Sequence, residues 1–150
     1  MHEKEIQYFT DAFQLARDKF YIDAIHQFNS LIKEFSESDL ADDALYNVGL
    51  CYYEMCQFEK AIEVLEEMIE KYPDATITAL EEGNEFGKTA AKAYYLIIQC
   101  FIGLDDLNKA ESYIPIIEKY NNTYIAHDDK KVSFKTLAEI AIDKFKELNK

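Results

Sequence analysis

The residues with types suited to chemistry fall into a few sets. Gly83-Asn84-Glu85-Phe86-Gly87-Lys88-Thr89 has the glycines, lysine and hydroxyl of a phosphate-binding loop, whose backbone amides would cradle a polyphosphate. Three residues separate its glycines where that motif needs four, and no strand pattern precedes it, so it reads as a turn before a helix. Cys51, Cys56 and Cys100 are an odd count without ligand-like spacing or a nearby histidine, and read as small buried hydrophobes. His2, His26 and His127 fall on unrelated elements, and no serine or cysteine is paired with a candidate base. Carboxylates are plentiful, but acids scattered along helices are solvated charges. No catalytic set, metal site or cofactor is expected, and the chain is not expected to be an enzyme.

The elements that would position side chains for binding emerge when the chain is aligned with itself. In residues 42 to 75, Leu45 is followed by Val48, Gly49 and Tyr52, then after a turn by Ala61, Leu65 and Pro73. A shift of 37 residues upstream places Tyr8, Ala12, Leu15, Ala24 and Phe28 in the same positions. A shift of 49 downstream does so for Tyr94, Ile97, Phe101, Ala110 and Ile114. Spacings of three, four and seven put the first set of each copy on one helical face. The unit is a pair of helices in which Ala12, Gly49, Ala24, Ala61 and Ala110 let backbones approach closely. Each pair leaves an apolar face that the next must cover.

The expected helices run near 3–19, 21–35, 39–55, 58–71, 88–103, 106–120 and 131–148. The last sets Val132, Phe134, Leu137, Ala141, Phe145 and Leu148 against lysines and acids, as an amphipathic capping helix would. Pro115 removes a hydrogen bond to the Glu111 carbonyl and predicts a kink. The residues between Pro73 and Lys88 account for most of the longer spacing, and Thr76 to Glu82 would form a short helix ending at Gly83 or extend the previous pair. The organisation predicted is one domain over 1–150, with repeats at about 5–38, 42–75 and 91–122, an insertion at 74–88 and a capping helix at about 131–148.

The run from Ala41 through Leu45, Val48, Gly49 and Tyr52 to Tyr53, continued by Phe58-Glu59-Lys60-Ala61-Ile62 and Tyr72-Pro73-Asp74, resembles the tetratricopeptide repeat. More narrowly, the Lys33-Glu34-Phe35-Ser36 ending and the three extra residues before Ala41 resemble the bacterial sub-type of outer-membrane assembly lipoproteins and the Tol-associated coordinator. The likeness covers about residues 5–122. It departs at Asp11, Met68, Ile98, Ser36 and Asn122, which leaves the first and third repeats degenerate. It implies an all-α fold, a TPR-like α-solenoid of three helix pairs plus a C-terminal cap, with a concave groove for a peptide or helix.

By that family geometry the first helix of each pair lines the groove. Ile6, Phe9, Thr10 and Phe13 come from the first repeat, Asp43, Tyr46, Asn47, Leu50 and Tyr53 from the second, and Lys92, Tyr95, Leu96 and Gln99 from the third. Tyr and Phe in a groove anchor peptides with large area at low rotamer cost. Of the family's carboxylate-clamp positions only Asn47 and Lys92 match, and Phe9, Phe13 and Leu96 occupy the others. The resemblance therefore points to an apolar or amphipathic segment rather than a chaperone tail.

The formal charge of −13 is uneven, because residues 34–85 hold fifteen acids against Lys60 and Lys71. That field repels nucleic acid and favours a neutral or basic protein or peptide. Glu59, Glu63, Glu66, Glu67 and Glu70 line one side of a helix as a wet face or a second, convex surface for a basic partner. No run approaches the length of a membrane span and the first residues lack the apolar core of a signal peptide, so no membrane insertion and a cytoplasmic setting are expected, or a periplasmic one if a leader was removed. The function expected is a non-catalytic protein-interaction scaffold. The alternative is a self-associating assembly subunit that uses the same groove or a terminal repeat, which leaves a homo-oligomer open.

Overall fold

The computed structural model describes residues 3–81 and 83–150; Met1, His2 and Glu82 lie outside it, and with them the placement of His2 and the end of the helix considered for Thr76 to Glu82. Helices α1 (Glu3–Arg17) and α2 (Tyr21–Glu34) form the first pair, and α3 (Ala41–Glu54) and α4 (Phe58–Lys71) the second. The third joins α5 (Thr89–Gly103) to two short pieces, α6 (Leu107–Ser112) and α7 (Ile114–Ile117), and α8 (Phe134–Leu148) closes the stack. Successive helices pack on one another from α1 to α5, and α8 packs on α5.

The small residues do what their spacing implied. Ala12, Ala24, Ala61 and Ala110 are fully buried. A Cβ placed on Gly49 would stand 2.7 Å from Leu65 Cδ2, so the α3 and α4 backbones are as close there as glycine allows. Phe9 meets Phe28 edge-on at 5.7 Å between α1 and α2. The same shifts of 37 and 49 residues reappear in the backbone. Lys19, Cys56 and Asp105 all adopt positive φ, between 60° and 68°, at the turn inside each pair. The next amide reaches back each time, Phe20 to the Leu15 carbonyl, Gln57 to Tyr52 and Asp106 to Phe101, at 2.8–2.9 Å. These are Schellman-type closures built without glycine.

The structure departs from the sequence reading in several places. The helix expected over 106–120 is broken at Tyr113 rather than kinked: Pro115 cannot donate to Glu111, and the chain restarts with proline in the first turn of α7, followed by a 3-10 turn at Glu118–Tyr120. The capping helix begins at Phe134, where Ser133 caps it by accepting from the Thr136 amide at 3.1 Å. Residues 130–133 instead form a strand. β1 (Glu85–Phe86), β2 (Tyr124–His127) and β3 (Lys130–Ser133) make a three-stranded antiparallel sheet that the all-helical reading left as loop. No helix forms over 76–81. Thr76 bridges Lys88, and the Ile77 amide donates to the Gly87 carbonyl at 2.9 Å, so the insertion is a hairpin-like loop. Cys51 and Cys100 are buried, but Cys56 is exposed at its turn.

Two substitutions test this packing. Gly49→Val forces branched methyls into Leu65 and should lower unfolding stability by about 1–3 kcal/mol. Cys56→Gly relieves a left-handed non-glycine residue and should raise it by about 0.5–1 kcal/mol after the extra unfolded-state entropy is counted. Urea midpoints compared at unchanged slope read both.

Candidate functional site

The face lined by α1, α3 and α5 divides into an open and a covered part. Phe13, Leu50, Tyr53, Tyr95 and Gln99 are half-buried, with Ile6 beside them and Thr10 exposed. Phe13, Ala16, Tyr21, Asn47, Leu50 and Cys51 surround a recess of about 300 Å³, edged by Arg17, Lys19 and Glu54. The Arg17 guanidinium lies 5.6 Å from the centre of the Phe13 ring. Tyr53 packs on Phe58, and Tyr95 packs on Phe134 of α8 while accepting from Gln99 Nε2 at 2.9 Å.

The rest of the expected groove residues are not on the surface. Phe9 and Leu96 belong to the core, where Phe9 fills the space beneath Phe28. Asp43, Tyr46, Asn47 and Lys92 are buried as well, with a different cause. The insertion folds over the α3/α5 part of the face and supplies partners for Asp43, Asn47 and Lys92. Lys92 Nζ donates to Glu81 Oε2 at 3.0 Å and to Glu85 Oε1 at 2.8 Å, and stands 4.5 Å from the centre of the Tyr46 ring. Asn47 Nδ2 donates to Glu81 Oε1 at 3.1 Å. The Thr78 amide donates to Asp43 Oδ1 at 3.2 Å, and Thr89 Oγ1 donates to Asp42 Oδ2. Asn47 and Lys92, the two positions matching a carboxylate clamp, therefore hold a carboxylate of the same chain.

Sequence reasoning missed Thr78, Glu81, Glu85 and Thr89 because their partners lie on other elements. The signal available was chemical: acids dominate residues 34–85, and Lys92 is the next groove cation along the chain.

The Lys92 ammonium is paired with Glu81 and Glu85 and acts electrostatically on Asp43, which in turn neighbours Asp42. Burial works against that ammonium, but the Tyr46 ring and the Glu81 and Glu85 carboxylates outweigh it and push its pKa up. Burial, then the neighbouring charges of Asp42 and Glu81, push Asp43 up to about 9, against the Thr78 hydrogen bond and Lys92. Asp43 Oδ2 has no hydrogen-bond partner. Burial raises Asp42 to about 6, opposed by the Thr89 hydroxyl and nearby amides, and raises Glu81 too, against Lys92. Elsewhere burial pushes the Cys51 and Cys100 thiols up to about 12, far from reactive thiolates. A recess of about 590 Å³ between Ser36–Asp39 and Asp74–Thr78 is polar and acid-edged, and no group of three potential metal ligands occurs among the described residues.

The folded state thus retains protons that the unfolded chain releases, so the stability linked to Asp42 and Asp43 is complete below about pH 4 and is lost as pH rises through about 6 and 9. Asp43→Asn keeps the acceptor for the Thr78 amide and removes the charge. It should flatten this slope and raise stability at pH 8 by about 1 kcal/mol or more, read from urea midpoints at pH 5, 7 and 9.

A tetratricopeptide-repeat family model matches residues 43–75, which span α3 and α4. A comparison with curated proteins finds no match. Among solved structures, the chain is similar to the type III secretion translocator chaperone SycD of Yersinia enterocolitica at a TM-score of 0.70 and 16% identity, covering 100% of this chain and 97% of that one. It is also similar to the TPR2AB domain of yeast Sti1 in its pHSP90 complex, at 0.68 and 15%, and to the Hsp90 co-chaperone Cns1 of Saccharomyces cerevisiae, at 0.66 and 18%. It covers 97% and 99% of itself in those two comparisons but only 48% and 42% of the other chains. No helix is long and apolar enough to cross a membrane among the described residues. Residues 43–75 thus carry a tetratricopeptide repeat, set within a TPR-like α-solenoid.

Proposed function

We propose that the chain is a protein-binding scaffold whose open groove takes an apolar side chain from an amphipathic segment of a partner. The observation that carries this reading is the recess of about 300 Å³ walled by Phe13, Ala16, Leu50 and Cys51, the part of the α1/α3 face that the chain leaves uncovered. A half-buried aromatic beside a preformed apolar hollow is the usual seat of an interface anchor. Arg17 and Lys19 face Glu54 at its rim, so both signs of charge are available to orient the segment. The strongly acidic balance favours a neutral or basic partner. Of the structural neighbours, SycD is described as a chaperone, Cns1 as a co-chaperone and the Sti1 domain as a complex with pHSP90, which agrees with a role in holding other proteins. The three helix pairs, the insertion and α8 act together as one binding unit in this reading.

A second reading, self-association, draws on a different surface. Phe20 and Ile22 are 58% and 64% exposed at the α1/α2 turn, beside Met55, and the SycD structure is described as an alternative dimer.

Affinity capture with wild-type protein beside a Phe13→Ala, Leu50→Glu double variant, both checked for folding by circular dichroism, tests the groove. Loss of a partner by the variant, with binding weakened at least about tenfold, or about 1.4 kcal/mol, is the expected result. Equal capture by both proteins removes the groove reading. Light scattering over about a hundredfold dilution should return the mass of one chain, 17.5 kDa, throughout. A mass that doubles with concentration and reverts on Ile22→Lys would favour self-association instead.

A further inference from the structure

The insertion is anchored unevenly. Its roots are tied into the backbone: Thr76 bridges Lys88, the Thr89 amide donates to Ala75 O at 3.0 Å, and Glu85 and Phe86 pair with Ile125 and Tyr124 of β2. Gly87 seals the root, because at φ +120° its Cα sits so near Thr123 that an added Cβ would fall 2.7 Å from the Thr123 Cα. A backbone bond from the Ala126 amide to the Asn84 carbonyl at 2.8 Å belongs to the same anchorage, whereas the tip, residues 78–81, has no such support. Leu80 is 39% exposed, Ala79 and Gly83 are exposed, and the apolar residue of the loop that packs into a core is Ile77, at the root. What holds the tip over α3 and α5 is polar: Glu81 on Asn47 and Lys92, and the Thr78 amide on Asp43.

We propose that the tip, residues 78–81, is an internal occupant of the α3/α5 part of the groove, held shut by Glu81 and able to swing out about its fixed roots. The inference rests on the reading of the α1/α3/α5 face as the binding face, since the tip divides that face and a partner segment longer than the open recess would meet it.

Opening is inexpensive for three reasons visible in the site. No large apolar side chain leaves the core, so the attachment has only the modest net strength of hydrogen bonds and one ion pair. Lys92 does not become an unpaired buried cation, because Glu85 remains in the sheet at 2.8 Å from it. Departure of Glu81 also withdraws one of the negative charges crowding Asp43, whose surroundings are Asp42 on its own helix, Glu81 and the Thr78 amide on the loop, and Lys92 on α5. Asp43 and Glu81 are both pushed toward the protonated form in the closed arrangement, so acidic pH tightens the tip and rising pH loosens it.

Amide hydrogen exchange, followed residue by residue without any partner and corrected for the intrinsic pH dependence, tests the latch separately from binding. In the wild type the Thr78 amide should exchange through a local opening, at least about tenfold faster than Val48 in α3, and its protection should fall from pH 5 to pH 9. Glu81→Ala should lower Thr78 protection at least about tenfold more, with Val48 changed less than about twofold. Leu80→Ala, a truncation of the exposed side chain, should leave Thr78 as it is. The proposal is overturned if Thr78 and Val48 exchange at one rate in the wild type, if Glu81→Ala moves both together or neither, or if Leu80→Ala matches Glu81→Ala.

Discussion

A helix pair can bury only one side of itself, and that constraint organises the whole chain. Close approach within each pair requires a small residue at the crossing, met by Ala12 and Ala24, by Gly49 and Ala61, and by Ala110. The uncovered side then needs a neighbour, which is why α2 packs on α3 and α4 on α5. At the far end the need is met by α8, whose Phe134, Ala138 and Ile142 share a buried cluster with Ile98, Ala110 and Ile117. The break at Tyr113 serves the same demand. It turns Ile117 inward beneath α8, which a straight helix through Pro115 could not have continued to do with its hydrogen bonds intact.

Stacking pairs in this way places every first helix on one face, and the middle of that face is where the chain departs from simple repetition. The second pair begins with Ala41-Asp42-Asp43 at a helix N-terminus, where two acids are electrostatically welcome in water. The insertion then covers them and adds Glu81 and Glu85, which turns a favourable surface feature into a buried excess of negative charge. One ammonium, Lys92, makes the arrangement tenable, and protonation of Asp43 completes it. A buried charge cluster of this kind adds little net stability but imposes a definite geometry.

The sequence was legible wherever the structure repeats itself. Spacings of 37 and 49 residues located the helix pairs, and the same offsets recur in the left-handed turns at Lys19, Cys56 and Asp105, which no residue type announced. The sheet was not legible, because strands of two and four residues carry almost no periodicity and their pairing joins Glu85 to Ile125 across α5, α6 and α7. Of the residues expected to line a groove, Phe13, Leu50, Tyr53, Tyr95 and Gln99 stand half-buried on the α1/α3/α5 face. Asp43, Tyr46, Asn47 and Lys92 occupy their expected helical positions but are covered, since periodicity fixes the direction of a side chain on its helix and says nothing of a loop arriving from elsewhere.

That distinction explains why the covering loop is polar. A segment with large apolar residues over α3 and α5 would have become core, as Phe134 did over Tyr95. Glu81 leaves water only for Asn47 and Lys92, and both can accept another arrangement: Asn47 also donates to the Asp43 carbonyl at 2.8 Å, and Lys92 keeps Glu85. Each group that Glu81 touches therefore retains a partner when Glu81 is gone. The Glu81 contacts are duplicated in this way while the Thr78 amide on Asp43 is not, and the apolar recess at Phe13 and Leu50 lies next to Asn47, one of the two groups Glu81 touches.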